Sequence, residues 1–193
     1  MKNATAVKER PILFSAPMVC AILEDKKTQT RRAVNPQPWL EPDGALGWRS
    51  KGDYIEWNNG RGDLSPYGVP GDRLWVRETW HHEDASCFDP KCGQPTHIFY
   101  RVTEPYPESI RWRPSIFMPR WASRITLEIT DVRVQRVQEI SYEDQLAEGF
   151  EVGHPAGPLH WFQGLFDFLN KKRGYSWASD PWVWVIEFRR ITI

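Results

Sequence analysis

The chain has 193 residues and a mass of 22.6 kDa, and its 25 Lys and Arg balance its 25 Asp and Glu, for a formal net charge of zero and a pI near 7.0. That length suits one domain, and 40% apolar with 26% charged residues excludes a disordered chain and a membrane protein. Zero net charge excludes a broad electrostatic footprint for nucleic acid and leaves room only for a local basic pocket.

The N-terminal stretch from Met1 to Arg10 lacks the apolar core of a secretory signal. No apolar run approaches the ~20 residues that cross a bilayer, so the chain reads as cytoplasmic, with no membrane partner. Ser15-Ala-Pro-Met18 is a helix entry, with Ser15 as N-cap and Pro17 in the first turn. Met18, Val19 and Ile22 give this helix one apolar face. Its C-terminal end delivers Lys26-Lys-Thr-Gln-Thr-Arg-Arg32, four cations and two hydroxyls in seven residues.

From Asn35 to Pro70 the composition shifts to Pro, Gly, Trp, Asn and Asp, which predicts a long irregular excursion with one short strand around Tyr54 to Trp57. Pro70-Gly-Asp72 is a turn, and Arg73 to Glu78 follows as a strand. Leu74 and Val76 share one of its faces; Arg73, Trp75 and Arg77 share the other. A polar insert spans Trp80 to His97, and Ile98 to Val102 resumes a strand. Arg111 to Trp121 is aromatic and basic but broken by two prolines, so an extended loop is expected.

Ser123 to Val134 alternates as the clearest strand, with a phase shift near Asp131 that predicts a bulge. Ser141-Tyr-Glu-Asp144 matches a capping box and opens a short helix closed by Gly149. A further helix, about Leu159 to Lys172, buries Phe162, Leu165, Phe166 and Leu169, and the chain ends in the strand Trp182 to Phe188. Five or six strands with three short helices make an α+β domain on a mixed or barrel-like sheet.

Aromatics reach 13%, with 11 Trp, in a chain whose mean hydropathy is −0.58. Trp75, Trp112 and Trp121 lie beside Arg and suit base stacking; Trp161, Trp177, Trp182 and Trp184 are assigned to packing. Arg73, Trp75 and Arg77, the Trp112 to Trp121 loop with Arg120, and Glu148 are expected to meet the basic run, including Arg31 and Arg32, in one pocket of both charge signs. Solvated charge is the competing reading of the basic residues. Within the insert, His82, Cys87, Cys92 and His97 offer four zinc ligands. The Cys-x4-Cys spacing is unusual, and a plain polar loop needing no cofactor is the preferred reading.

Three segments carry a family resemblance. Leu23-Glu-Asp-Lys-Lys-Thr-Gln-Thr-Arg31 resembles the Gly-x-Lys-Thr-x-Thr-x-Arg type motif of the ASCH superfamily. Pro70-Gly-Asp-Arg-Leu-Trp-Val-Arg-Glu-Thr-Trp80 looks like the "GD-x-hydrophobic" strand of its longer phage and prophage members, and Tyr142-Glu-Asp-Gln-Leu-Ala-Glu-Gly149 is similar to its short helix. The resemblance implies a PUA-like mixed β-barrel with short flanking helices and long insertions at about 35–70 and 80–97, forming one domain that handles RNA, DNA or nucleosides in a cleft. Some small bacterial members hydrolyse the amide of N4-acetylcytidine with a Lys, a Thr and a Glu. By that likeness the catalytic set falls on Lys27, Thr30 and Glu148, while Asp25 stands where the family has Gly.

That set is chemically coherent. Thr30 attacks an amide carbonyl if a neighbouring base takes its proton, and a Lys kept neutral by burial or nearby cations can serve. Glu148 would then orient the amine or shuttle the proton to the leaving nitrogen. A Glu148 pressed against Lys27 works the other way, raising the Lys pKa and favouring a structural ion pair. Glu78 is the second candidate acid, with an ion pair as its alternative role. The sequence therefore supports an amidohydrolase for N4-acylated cytosines or a non-catalytic reader that flips a modified base from DNA or RNA into the same pocket, and it leaves open, without direct support, a phage accessory protein; it identifies no protein partner.

Overall fold

A computed structural model describes residues 6–40, 42, 46–50, 53–57, 65–82, 97–103 and 110–192. In chain order these form β1 (Glu9–Leu13), α1 (Ala16–Leu23), β2 (Gln29–Ala33), β3 (Trp39–Leu40), β4 (Leu46–Ser50), β5 (Asp53–Trp57), β6 (Arg73–Arg77), β7 (Trp80–His82), β8 (Ile98–Tyr100), β9 (Thr126–Arg136), α2 (Tyr142–Ala147), α3 (Gly157–Asn170) and β10 (Trp182–Ile191). The main sheet has five strands in the order β1-β6-β9-β10-β2; β1 and β6 run parallel and the other neighbours antiparallel. The architecture is therefore mixed α+β, as the alternation of elements predicts.

The expected barrel is not closed. Among the described residues β1 and β2 share no backbone ladder; only the Arg32 guanidinium crosses the seam, donating to the Leu13 carbonyl at 2.6 Å. Two further predictions need correction. The excursion after Asn35 carries a three-stranded antiparallel meander, β3-β4-β5, rather than one strand. Its Trp48 packs edge-on against Trp184 at 6.0 Å, so this insertion shares the main core. The Arg111 to Trp121 segment is not simply extended, because Pro114 and Pro119 each precede a 3-10 turn, at Ser115–Phe117 and Arg120–Ala122.

The long antiparallel partners β9 and β10 supply the core. In β10, Trp184, Ile186 and Phe188 enter a cluster with Ile12, Val19, Leu74 and Leu127. Val183 and Val185 point the other way, onto Phe162 and Phe166 of α3. Both faces of β10 are thus covered, which is why its sequence is almost continuously apolar. The pairing register steps from Asp131↔Glu187 to Ile129↔Phe188, leaving Thr130 as the extra residue of a bulge, one position from the predicted phase shift.

Candidate functional site

The turn from α1 into β2 sets the site. After Leu23 the chain passes through Asp25 at φ 56°, and the N–H groups of Lys26 and Lys27 both donate to the Ala21 carbonyl, at 2.8 and 3.0 Å. Asp is among the few side chains that tolerate the left-handed region, so the tight turn forms without the Gly that the sequence resemblance puts at this position. The reversal turns Lys27 inward, where it is 2% exposed.

The α2 helix brings the opposing acid. Ser141 Oγ accepts from the Asp144 N–H at 3.1 Å and Asp144 Oδ2 accepts from the Ser141 N–H at 3.4 Å, the reciprocal cap that the sequence predicts. Glu148 is the C-cap, and Gly149 follows at φ +95°. A Cβ on Gly149 would lie 3.1 Å from Ala21 Cβ and 3.3 Å from Lys27 Cβ, so only glycine allows α2 to close onto α1. Gly149→Ala is expected to cost about 1–3 kcal/mol from strain and overpacking. Differential scanning calorimetry should show this as a lowered melting temperature; an unchanged midpoint would mean that α2 has room to retreat.

Lys27 Nζ donates to Glu148 Oε2 at 2.7 Å and to the Glu148 carbonyl at 2.8 Å, with the two side chains 0% and 3% exposed. Arg31 then bridges two acids: Nη1 reaches Glu148 Oε1 at 3.3 Å and Nη2 reaches Asp144 Oδ2 at 2.6 Å. Gln29 shares the β2 face with Arg31, accepts from its Nη1, and donates to Asp144 and Glu187 at 2.9 and 3.2 Å. Arg133 closes the network against Asp144, Glu187 and Asp131.

Burial is the largest influence on Lys27. It pushes the amine below its ordinary pKa despite the opposing pull of Glu148, and the Arg32 and Arg31 charges push the same way. The two alternatives posed by the sequence therefore coexist: Lys27 is paired, and its charged form is nonetheless disfavoured. Burial pushes Asp144 up, but its hydrogen bonds from Gln29, Arg31 and Ser141 hold its carboxyl below the usual value.

A cavity of about 680 Å³ opens beside this network, within the range of small-molecule sites. Thr30, Arg31, Arg32 and Glu148 form one wall; Phe14 and Tyr67 stand at the seam, and Phe162, Phe166, Asn170 and Arg173 come from α3 and the turn after it. Lys27 does not line the cavity but lies behind Glu148. The sequence singled out the β2 and α2 residues. Phe14, Tyr67, Asn170 and Arg173 carried no local signal, and the buried stripe of α3 read as core although Leu165, Phe166 and Leu169 also wall the cavity.

The other expected members are placed elsewhere, so the single large pocket is corrected to a smaller one. Trp75 is buried beneath the Arg77 guanidinium, 4.6 Å from its ring, and Arg77 donates to the Ile116 carbonyl at 3.2 Å. Arg120 and Arg73 pair with Glu9, at 2.8 and 3.8 Å. Glu78, 2% exposed, receives both Nε and Nη2 of Arg124 at 2.9 Å, a buried ion pair. Trp112 and Trp121 pack edge-on against His81 and Trp80, at 6.3 and 5.6 Å. The outer face of β6 is thus consumed by the 110–124 segment.

The β7–β8 pairing sets His82 opposite Ile98, beside His97, but Cys87 and Cys92 lie outside the described residues. Among the described residues no group of three His, Cys, Asp or Glu is placed to hold a metal ion, and no helix is long and apolar enough to cross a membrane.

No family model matches the sequence, and no curated protein matches it. Among solved structures the chain is similar to the ASCH domain from Lactobacillus crispatus JV V101, at 15% identity, with 95% of this chain and 79% of that chain covered and a TM-score of 0.45. It is also similar to protein EF3133 from Enterococcus faecalis V583 (DUF984), at 10% identity, 97% and 82% coverage and a TM-score of 0.43.

Proposed function

We propose that this chain is an ASCH-type nucleobase-binding domain whose cavity takes a cytosine acylated at N4 and hydrolyses that amide. The observation that carries the reading is the fully buried Lys27–Glu148 pair, at 2.7 Å, behind a cavity wall that bears Thr30 and Glu148. These are the residues on which the family's Lys, Thr and Glu fall.

The chemistry balances with these groups. Thr30 Oγ adds to the acyl carbonyl carbon while its proton passes to the neutral Lys27 amine, made accessible by burial. The C–N4 bond then breaks, N4 takes that proton with Glu148 as the relay, and the acyl group remains on Thr30. Water attacks the ester, its proton returning through Lys27 to Thr30, and the carboxylic acid leaves. Arg31 and Arg32 on the same wall are donors for the developing oxyanion.

Purified protein incubated with N4-acetylcytidine should release cytidine and acetate in equal amounts, followed by liquid chromatography. Binding without turnover would select the non-catalytic reader, which uses the same cavity. Neither binding nor turnover across a panel of N4-acyl cytosines overturns both.

A further inference from the structure

The arginines of this chain are unequally partnered. Arg31, Arg120, Arg124 and Arg133 each have a carboxylate within ion-pair distance. Arg32 and Arg173, both on the cavity lining, have none among the described residues. The Arg32 Nη2 is held by the Leu13 carbonyl at 2.6 Å, its guanidinium rests 5.2 Å from the Phe14 ring centre, and its Nε is buried with no acceptor. Burial foremost disfavours the Arg32 cation against the opposing pull of Tyr67 and Glu148, and the charge of Arg173 acts with burial. The one carboxylate on the lining, Glu148, is already engaged by Lys27 and Arg31. Two cations therefore share a half-enclosed space in which the protein supplies no free anion, and an incoming anionic group would find a held guanidinium, that of Arg32, and an exposed one, that of Arg173.

Their position indicates what carries that anion. Arg32 follows Thr30 by two residues on β2, a step of about 6.6 Å along the strand, which is the scale of one ribose. We infer that the ligand of this cavity is a nucleotide rather than a free nucleoside, its phosphate between Arg32 and Arg173 and its base toward Thr30 and Glu148. This rests on the reading of the cavity as a nucleobase site. The phosphate is either that of a free 5′-monophosphate or a phosphodiester of a single strand.

Titration calorimetry with cytidine, cytidine 5′-monophosphate, inorganic phosphate and a short cytosine-containing single strand tests this, since none of these probes carries an acyl group to be turned over. The wild type should bind the monophosphate at least tenfold more tightly than cytidine, with the advantage shrinking as salt rises. In Arg173→Ala, whose side chain is exposed and has no carboxylate partner among the described residues, the advantage should fall below threefold through loss of affinity for the monophosphate, with the melting temperature close to that of the wild type. A strand that binds more tightly than the monophosphate, with the same dependence on Arg173, supports the inference and identifies the phosphodiester as the source. Equal affinity for cytidine and its monophosphate overturns the inference and leaves the nucleobase reading standing. Inorganic phosphate binding with no cytidine binding overturns the nucleobase reading, and the nucleotide with it.

Discussion

Glu148→Ala is expected to cost about 3–5 kcal/mol of stability, because removing one member of a buried ion pair leaves the other uncompensated. Here two cations are abandoned at once: Lys27, fully enclosed, and Arg31, whose remaining acid is Asp144. The loss is bounded because Lys27 already has a depressed pKa and can shed its proton instead of staying charged. Arg31 has no such escape. Glu148→Gln, which keeps the shape and one acceptor, should cost less than Glu148→Ala. Lys27→Met combined with Glu148→Leu should cost less than the sum of the single changes, since an apolar pair of similar volume removes the desolvation penalty with the attraction. Urea denaturation at neutral pH of these variants, and of Lys27→Met and Glu148→Leu singly, measures the differences. A Glu148→Ala protein within about 1 kcal/mol of wild type, below the cost of an abandoned buried charge, would show that the pair does not lock α2 onto β2. The same pair fixes a pH dependence. With the folded-state pKa of Lys27 below its ordinary value of 10.5, the unfolded chain binds more protons between the two values, so the Lys27 contribution makes stability rise with pH across that window. Lys27→Met should flatten that rise.

The parts of this architecture that local rules govern were legible in the sequence. The Ser141–Asp144 cap, the apolar stripe of α3, the alternation of β6 and the β9 bulge each depend on residues within a turn or a strand pair, and each is expressed in spacing. The cavity was only half legible. Lys27, Thr30, Arg31, Arg32 and Glu148 lie in two motifs whose proximity the family resemblance supplied, whereas Phe14, Tyr67 and Arg173 join them from three further parts of the chain, a tertiary meeting that no periodicity encodes. The placement of Trp75 and Arg77 away from the cavity has a related origin. Aromatic and cationic side chains on one strand face read equally well as a ligand surface and as a surface that another segment of the same chain will cover. In this fold the 110–124 segment covers it, with Met118 and Ala122 packing on Trp80. Composition cannot separate these outcomes because the contacts are the same in kind: a guanidinium stacks on an indole whether its hydrogen bonds end on a ligand or on the Ile116 carbonyl.

Thr30→Val should abolish hydrolysis of N4-acetylcytidine, with a loss of at least about 10³-fold in kcat, as expected when an attacking hydroxyl is removed. Thr30 is 2% exposed, and Val preserves its shape and β-branching, so the strand should hold and the fold should change little. Thr30→Ser retains the hydroxyl and should keep turnover within about tenfold of wild type. The pH profile separates the proposed base from a merely structural Lys27. A base must be unprotonated, so kcat/KM should rise with pH through the depressed Lys27 pKa and level off below 10.5, the value of a free amine. In Lys27→Arg the cation is permanent, and the proton from Thr30 has nowhere to go. A Thr30→Val protein that still turns over at the wild-type rate would remove the nucleophile from Thr30 and leave water as the attacking group. Glu148, the carboxylate on the cavity wall, would then be the base, and Lys27 behind it would act only to hold that carboxylate ionised.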